Sequence, residues 1–457
     1  MKIGELGDKT AVGDIYQSLD GGYILIGGTK KLDAWYDPFI MKLNACGEKQ
    51  WCNILHLPDN MDFGVRILQL PSHNYIALLS YFSYNYGERI WLMCFNENGD
   101  ILWKKVYAQN DPFIIDEDSY SLMYAHDSSI LITGSCFYPN LPDSNTYWMR
   151  PLLIKTDVDG NEIWATVWGV ENNFRGHGVI SVEDNHGNIY TVGRHSGGLV
   201  GDSPTLLKTS RDGEEKSYWD VYDSTDLGLA TTISWLEDST LAIGAGWSFP
   251  DEEIIEGIAK MDTSGNVLLV KEIIQADNTF QGSITTFDEK LVIMGGFYLD
   301  GNWDIYAFKF NSDLEYDTLY SLPLVYDSLC PYPIVTDTIP LDCVIVGLKE
   351  FDPPERAQLT IVPNPAWDKI QVLLPESVSS GSQNALFNAT TWKYTFEGDI
   401  PLEIYDIHGR RWHSQVIPAG EKQAVIQVSH LPAGMYVVRA LIEGQDVCGK
   451  LMKSSSH

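Results

Sequence analysis

The chain lacks any apolar run approaching the roughly 18 residues that a helix needs to cross a bilayer, which excludes a helical membrane anchor within these 457 residues. It is also short of basic residues: 31 Lys and Arg stand against 62 Asp and Glu, a formal charge of -31. Affinity for nucleic acid and anionic lipid rests on lysine and arginine neutralising phosphates, so neither is expected as a partner. The deficit is uneven, with 22 basic against 51 acidic residues in 1–350 and 9 against 11 in 351–457. Seven cysteines are too few for a disulfide scaffold, and they show no paired C-x-x-C zinc spacing. There is no Gly-x-Ser-x-Gly elbow, no His-Glu-x-x-His and no phosphate-cradling loop. The first ten residues, MKIGELGDKT, hold no apolar stretch of signal-peptide length. Ile3 and Gly4 fall where a repeat would end, so a segment upstream is expected.

What is present is a repeat. Residues 151–168, PLLIKTDVDGNEIWATVW, read as an apolar strand, a tight turn and a second strand carrying Trp164. Asp157 is suited to fold its side chain onto the turn, and Gly160 to take the positive φ that closes a type I turn with a bulge. Asn44, Gly47 and Trp51 repeat the spacing, as do Asn96, Gly99 and Trp103. Asp262 and Gly265 keep the turn with Leu269 at the tryptophan position; Gly213 is followed by Trp219; the copy at Asn311 has Leu314 for its glycine. Six units follow, near 7–56, 57–109, 110–169, 170–222, 223–276 and 277–322, each reading as four strands. A period of this length signals a solenoid or propeller. A lysine recurs in the third strand, at Lys42, Lys155, Lys208, Lys260 and Lys309, with Cys94 in the second unit. Its regularity points to a structural ion pair rather than chemistry. The expected fold is all-β: a propeller over 1–322 of six visible blades, seven if an upstream segment adds one. The pattern resembles secreted propeller repeats common in Bacteroidota and, more distantly, Kelch repeats.

Loops joining the second and third strands vary most in length, and variable loops on a rigid scaffold are where binding resides. They carry Trp35, Tyr36, Tyr84, Trp148, Trp247 and Trp303, with acids among them, and flat rings beside carboxylates suit a sugar or a peptide. The competing reading seals these rings into seams between blades. No catalytic residue is assigned, because a carboxylate pair cannot be chosen among 62 acids without a distance. His177, His186 and His195 sit nine apart, but the middle one falls in a turn, so no metal is assigned and no cofactor is expected. DVDGNE, at 157–162, resembles part of a calcium loop yet lacks the terminal glutamate, and its recurrence favours a plain hairpin.

Residues 323–356 form a proline-rich linker in which Cys330 and Cys343 bracket CPYPIVTDTIPLDC, and a disulfide between them is expected to constrain the loop. Asp317-Thr318-Leu319, Asp327-Ser328-Leu329 and Asp337-Thr338-Ile339 are similar to sites at which Bacteroidota O-glycosylate exported proteins. Residues 357–457 alternate as short strands that suit a β-sandwich. Pro363-Asn364-Pro365, then Asp406 and Gly409 of a hairpin, then Leu431 to Tyr436 with Gly434, then Lys450 to Lys453 occur in that order. Together they resemble the type A carboxy-terminal sorting domain of the type IX secretion system. Gly434 is expected to bend the chain into an edge strand that buries Tyr436. The segment from about Glu376 to Asp399 is longer than the family's usual connection.

The resemblance implies recognition by the outer-membrane translocon, attachment to the surface machinery and an extracellular or outer-surface location. The leading functional reading is an exported, non-catalytic binding or structural propeller with a glycan or protein ligand. Alternatives are a propeller hydrolase acting on glycans or peptides, and an adhesin with calcium as its cofactor.

Overall fold

A computed structural model of the chain describes residues 2–3, 9–32, 35–56, 61–83, 87–107, 114, 116–139, 147–169, 174–198, 201–222, 227–237, 239–248, 254–275, 280–286, 288–299, 302–317, 338–348, 359–374, 377–379, 391–393, 399–406, 410–442 and 445–454. Every regular element among them is a strand. They fall into two compact units, one running to Leu348 and a second holding the carboxy-terminal strands.

The first unit is a β-propeller of which six blades are described, each an antiparallel meander. Blade one is Thr10–Gln17, Tyr23–Thr29, Asp37–Leu43 and Lys49–His56. Blade two is Met61–Gln69, Tyr75–Ser83, Gly87–Phe95 and Ile101–Val106; blade three is Glu117–Tyr124, Ile130–Pro139, Tyr147–Thr156 and Glu162–Val167. Blade four is Gly176–Glu183, Ile189–Gly198, Gly201–Thr209 and Lys216–Asp220, and blade five Leu227–Trp235, Leu241–Ser248, Ile255–Met261 and Val267–Gln275. Blade six has three described strands, Phe280–Thr285, Leu291–Leu299 and Asn302–Phe310. Second strands such as Tyr23–Thr29 and Leu241–Ser248 are buried almost throughout, because both their faces are covered, in blade five by blades four and six and in blade one by blade two and by Ile339 and Leu341. That double cover explains their unbroken apolar character.

The hairpin between third and fourth strands forms as its residues dictate. Asp157 Oδ1 accepts the amides of Asp159 and Asn161, and Gly160 holds φ +75°. The recurrent lysine closes the other turn of its blade: Lys42 Nζ lies 2.8 Å from Asp20, Lys155 Nζ 2.8 Å from Asp127 and Lys309 Nζ 2.6 Å from Asp288. Burial pushes the Asp20 carboxyl up, but the hydrogen bonds from Lys42 and the Gly22 amide, together with the Lys42 charge, outweigh it and hold the carboxyl below its ordinary value.

Adjacent blades interlock through tryptophan and glycine. A Cβ on Gly99 would stand 2.9 Å from the Trp51 ring, on Gly160 2.7 Å from Trp103, on Gly213 3.0 Å from Trp164, and on Gly265 2.2 Å from Trp219. Each outer-strand tryptophan thus lies on the hairpin glycine of the following blade. Trp51 and Trp164 also donate their indole N–H to backbone carbonyls of that next hairpin, at Glu97 and Arg211. Between blades five and six both partners are replaced together, by Leu269 and by Leu314 at φ +57°. Lys271 serves that seam instead, with its ammonium 4.3 Å from the Tyr316 ring centroid.

The disulfide pairing departs from expectation. Cys343 is bonded to Cys52, in the outer strand of blade one and 291 residues away, rather than to Cys330, which lies outside the described residues. Cys46 of the same blade is disulfide-bonded as well. The reason is a strap that a loose linker would not provide: Val344–Gly347 adds a fifth, parallel strand to blade one against Lys49–His56, which sets Cys343 beside Cys52. Leu341 is fully buried beneath Lys31, whose ammonium donates to the Leu341 carbonyl, and Lys49 pairs with Asp342. Thr338–Ile339 in turn pairs with Lys2–Ile3.

The second unit is a sandwich. A three-stranded sheet contains Thr360–Val362, Lys369–Leu373 and Gln423–Gln427, and a four-stranded sheet contains Arg411–Ile417, Ile400–Asp406, Gly434–Ile442 and Gln445–Lys453 in that spatial order. Between them lies one apolar core that includes Ile361, Val372, Leu402, Ile404, Val438 and Leu451. The strand opening at Gly434 is central rather than at an edge, hydrogen-bonded on both sides, because the last strand pairs along its whole length.

Two outcomes are expected. Replacing Cys52 and Cys343 together by alanine will lower stability by about 3–5 kcal/mol, on the chain entropy released by so long a loop, measured as a shift in denaturant midpoint. Glu256, fully buried in blade five, is pushed up to about 8 by burial, with the Phe280 amide pulling the other way. The folded chain therefore keeps a proton that the unfolded chain releases near its ordinary value. Stability is full below that value and declines as pH rises through about 8. Glu256→Gln will flatten that decline and raise stability at pH 9 by a few kcal/mol at most, read from melting curves across pH.

Candidate functional site

The aromatic residues expected to form one ligand shelf are distributed among separate surroundings. Trp35 is 40% exposed beside blade one, and neighbouring Tyr36 is half-buried, edge-on to Phe63 with Lys30 over its ring. Trp148 is half-buried, flanked by the guanidinium groups of Arg150 and Arg175. Trp303 is 60% exposed on blade six, 5.6 Å from Tyr298. Trp247 belongs to the core. It is fully buried, stacked on Tyr222 at 4.8 Å, and a Cβ on Gly257 would meet its ring at 2.4 Å. Tyr84 lies outside the described residues. The described positions fall on blades one, three, five and six.

A hollow forms instead where blades two and three meet, at the end from which the loops between second and third strands emerge. Phe82 ends the second strand of blade two and Glu88 opens its third. Asp116, Glu117 and Asp118 lead into the first strand of blade three, while Ser135, Cys136, Phe137 and Met149 come from its second and third. The cavity is about 130 Å³. Asp116 knits the two blades: its carboxylate accepts the Glu88 amide at 3.1 Å and its carbonyl accepts the Phe137 amide at 3.0 Å. Glu117, 2% exposed, accepts the Ile90 amide, and Asp118 accepts the Tyr120 hydroxyl.

The electrostatics follow from crowding. Burial, with the Asp118 carboxyl within hydrogen-bonding reach, pushes Glu88 up to about 7, although a hydrogen bond from Ser80 opposes the rise. Like charges this close resist joint ionisation. Ser135 is 1% exposed and faces Tyr120, whose hydroxyl donates to Asp118. The hollow therefore offers carboxylate acceptors and two phenyl rings. Glu88 belongs to the loop acids that the sequence already singles out beside the aromatics, whereas Asp116 and Asp118 join it only because two blades meet.

Beyond the hollow, His177 stands 6.1 Å from the Tyr120 ring, and burial and the Arg194 guanidinium hold its imidazole near 4, hence neutral at pH 7. His195 instead stacks on Phe174 at 4.5 Å, and His186 occupies the turn of blade four, accepting nothing from either. Among the described residues, no group of three or more His, Cys, Asp or Glu side chains is placed to hold a metal ion. The turn aspartates are committed locally: both carboxylate oxygens of Asp157 accept hydrogen bonds from Asp159 and Asn161.

In the sandwich, the separated motifs converge on its last strand. Pro363 and Pro365 both follow cis peptide bonds. Between them Asn364 accepts the Met452 amide through Oδ1 at 2.8 Å and donates through Nδ2 to the Lys450 carbonyl at 2.6 Å. Asp406 accepts the Trp412 indole N–H at 2.8 Å and the Arg410 amide at 2.9 Å, closing its hairpin, while Gly409 lies outside the described residues. Tyr436 is buried edge-on to Trp412 and donates to the Pro432 carbonyl. Lys453 is 8% exposed, its ammonium donating to the Ser454 carbonyl.

No curated protein matches the chain. Among solved structures, a protein of unknown function from Dyadobacter fermentans is 9% identical, with a TM-score of 0.48 over 67% of this chain and 95% of that one. A polysaccharide lyase of family PL25, an ulvan lyase, is 8% identical, with a TM-score of 0.45 over 64% and 77%. The GH93 α-L-arabinofuranosidase of Fusarium graminearum is 11% identical, with a TM-score of 0.41 over 65% and 92%. Similarity at this level carries no statement about ligand or reaction. The carboxy-terminal motifs are more telling: residues 360–454 match the family described as the secretion system C-terminal sorting domain. This segment is a type IX sorting domain, which marks the chain for export to the cell surface or extracellular space.

Proposed function

We propose that the chain is an exported binding propeller, which seats its ligand in the hollow between blades two and three and performs no chemistry on it. The observation that carries this reading is the hollow itself: apolar walls from Phe82, Phe137 and Met149 around a few convergent polar groups, at the end of the propeller bearing its variable loops. A hydrolase reading draws less support: a glycosidase needs two carboxyls at roughly 5–5.5 Å or about 6.5–9.5 Å, and the acids of the hollow are held instead by the Glu88 and Ile90 amides and the Tyr120 hydroxyl. Calcium stabilisation is weakened by the saturated turn carboxylates. In this reading the translocon and the surface attachment machinery take the sandwich, and the propeller is the displayed body.

Two measurements test the halves separately. Residues 357–457 fused behind a signal peptide will carry a reporter to the cell surface of a host with the type IX system, and periplasmic retention overturns the assignment. On glycan and peptide arrays probed with the full chain, Phe137→Ala will lower binding at least tenfold with the melting temperature nearly unchanged, while Trp303→Ala will leave binding intact. The reverse pattern moves the site to blade six.

A further inference from the structure

We propose that the chain pairs with a second copy of itself through the face of blade six that turns away from blade five, the two faces meeting about a two-fold axis. The fourth residue of each second strand shows why that face stands out, since it points at the following blade. Ile26 lies against Gly64 of blade two, whose Cβ would meet it at 2.2 Å; Thr133 bonds Ser181 of blade four at 2.7 Å; Val192 shares a core with Ala230 of blade five. All three are at most 1% exposed. At Gly244 of blade five, a Cβ would meet Ile293 of blade six at 2.5 Å. Met294 holds the same position in blade six and is 46% exposed. Among the described residues, blade six packs closely on blade five alone.

Strand register makes the exposure continuous. Ile284 stands beside Val292, Met294 beside Ala307, Ile305 beside Gly296 and Trp303 beside Tyr298, and cross-strand neighbours of this kind project on one side of a sheet. The alternate residues, among them Phe280, Ile293 and Phe297, fill the core shared with blade five. Ile284, Met294, Tyr298, Trp303 and Ile305 are 46–84% exposed. At about 200 Å² for a fully exposed large side chain, these present roughly 600 Å² of surface. A typical monomer leaves bare no patch beyond about 300–600 Å². With the backbone and smaller residues between them, the five approach the roughly 800 Å² per partner of a standard dimer.

A second copy is the occupant this face fits. Throughout the propeller such a face is covered by another blade, every copy of the chain carries the same bare one, and an isologous contact covers both at once. Charge agrees. At a formal charge of -31, copies repel in most orientations. Yet the register places no carboxylate on this side of blade six, and its lysine, Lys309, is engaged by Asp288 and Asp317. A strongly charged partner finds nothing here to pair with.

Sedimentation velocity of the full chain over a wide concentration range will show a reversible dimer of twice the chain mass, and hydrogen exchange will show amides of Asn302–Phe310 gaining protection as the dimer fills. Met294→Asp and Ile305→Asp, at side chains exposed in the single chain, will each weaken the dimer at least tenfold, with the melting temperature retained at the lowest concentration. Val425→Asp, at a side chain 60% exposed on the sandwich, will leave it unchanged. A monomer at every concentration overturns the proposal; if its blade-six amides are protected, another part of the chain covers the face. A dimer that survives both blade-six substitutions, or that Val425→Asp also dissolves, overturns it as well. Oligomers that keep growing with concentration do the same, because they mark a head-to-tail contact. Where an aspartate unfolds the chain, the unsubstituted dimer decides: protection confined to strands outside blade six refutes the pairing.

Discussion

The propeller depends on an indole laid across a glycine of the next blade. A tryptophan at the end of one meander needs a flat seat, and only a residue without a Cβ supplies it at the distances seen for Trp51 on Gly99 and Trp219 on Gly265. The same glycine must also hold a positive φ to close its own hairpin. One residue thus answers to its own turn and to its neighbour's side chain, which ties local conformation to the spacing between blades. Where the tryptophan gives way to Leu269, the glycine gives way to Leu314, which turns inward and is 1% exposed. The contact is kept or replaced as a pair.

This coupling explains what could be read from the residues alone. Glycine, tryptophan and the turn aspartate recur at fixed short spacings, so the hairpins, the meander and the structural lysines are all local patterns that repetition makes visible. The sorting motifs were legible for a similar reason, although their convergence through Asn364 on the final strand joins positions almost ninety residues apart. Contacts between repeats left no such trace. Cys343 pairs with Cys52 because a short strand is added in parallel to blade one, and nothing near CPYPIVTDTIPLDC announces that strand. Among 62 acids no pair could be chosen, since Glu88 and Asp118 share a hollow only because adjacent blades bring them to it. Trp247 misled in the opposite direction: it lies within the strand Leu241–Ser248 rather than in the loop after it, and the absent Cβ of Gly257 lets its ring sink into the core.

The hollow and the core of blade five show two fates for carboxyls in one acidic protein. Turn aspartates such as Asp20 and Asp157 are engaged locally, by lysine or by backbone amides. Glu256 is buried away from cations and keeps its proton. Glu88 lies between these limits, partly buried and near the propeller's variable loops, its carboxyl pushed up by burial and by Asp118 and Asp116 while Ser80 donates to it.

The strap gives the propeller a fastening of its own. The parallel strand, the Cys52–Cys343 bond, the buried Leu341 and the Lys49–Asp342 pair all lie at or before Leu348. None of these locks draws on a residue of the sandwich. A protease that severed the chain beyond them would discard the address label and leave the parcel still tied.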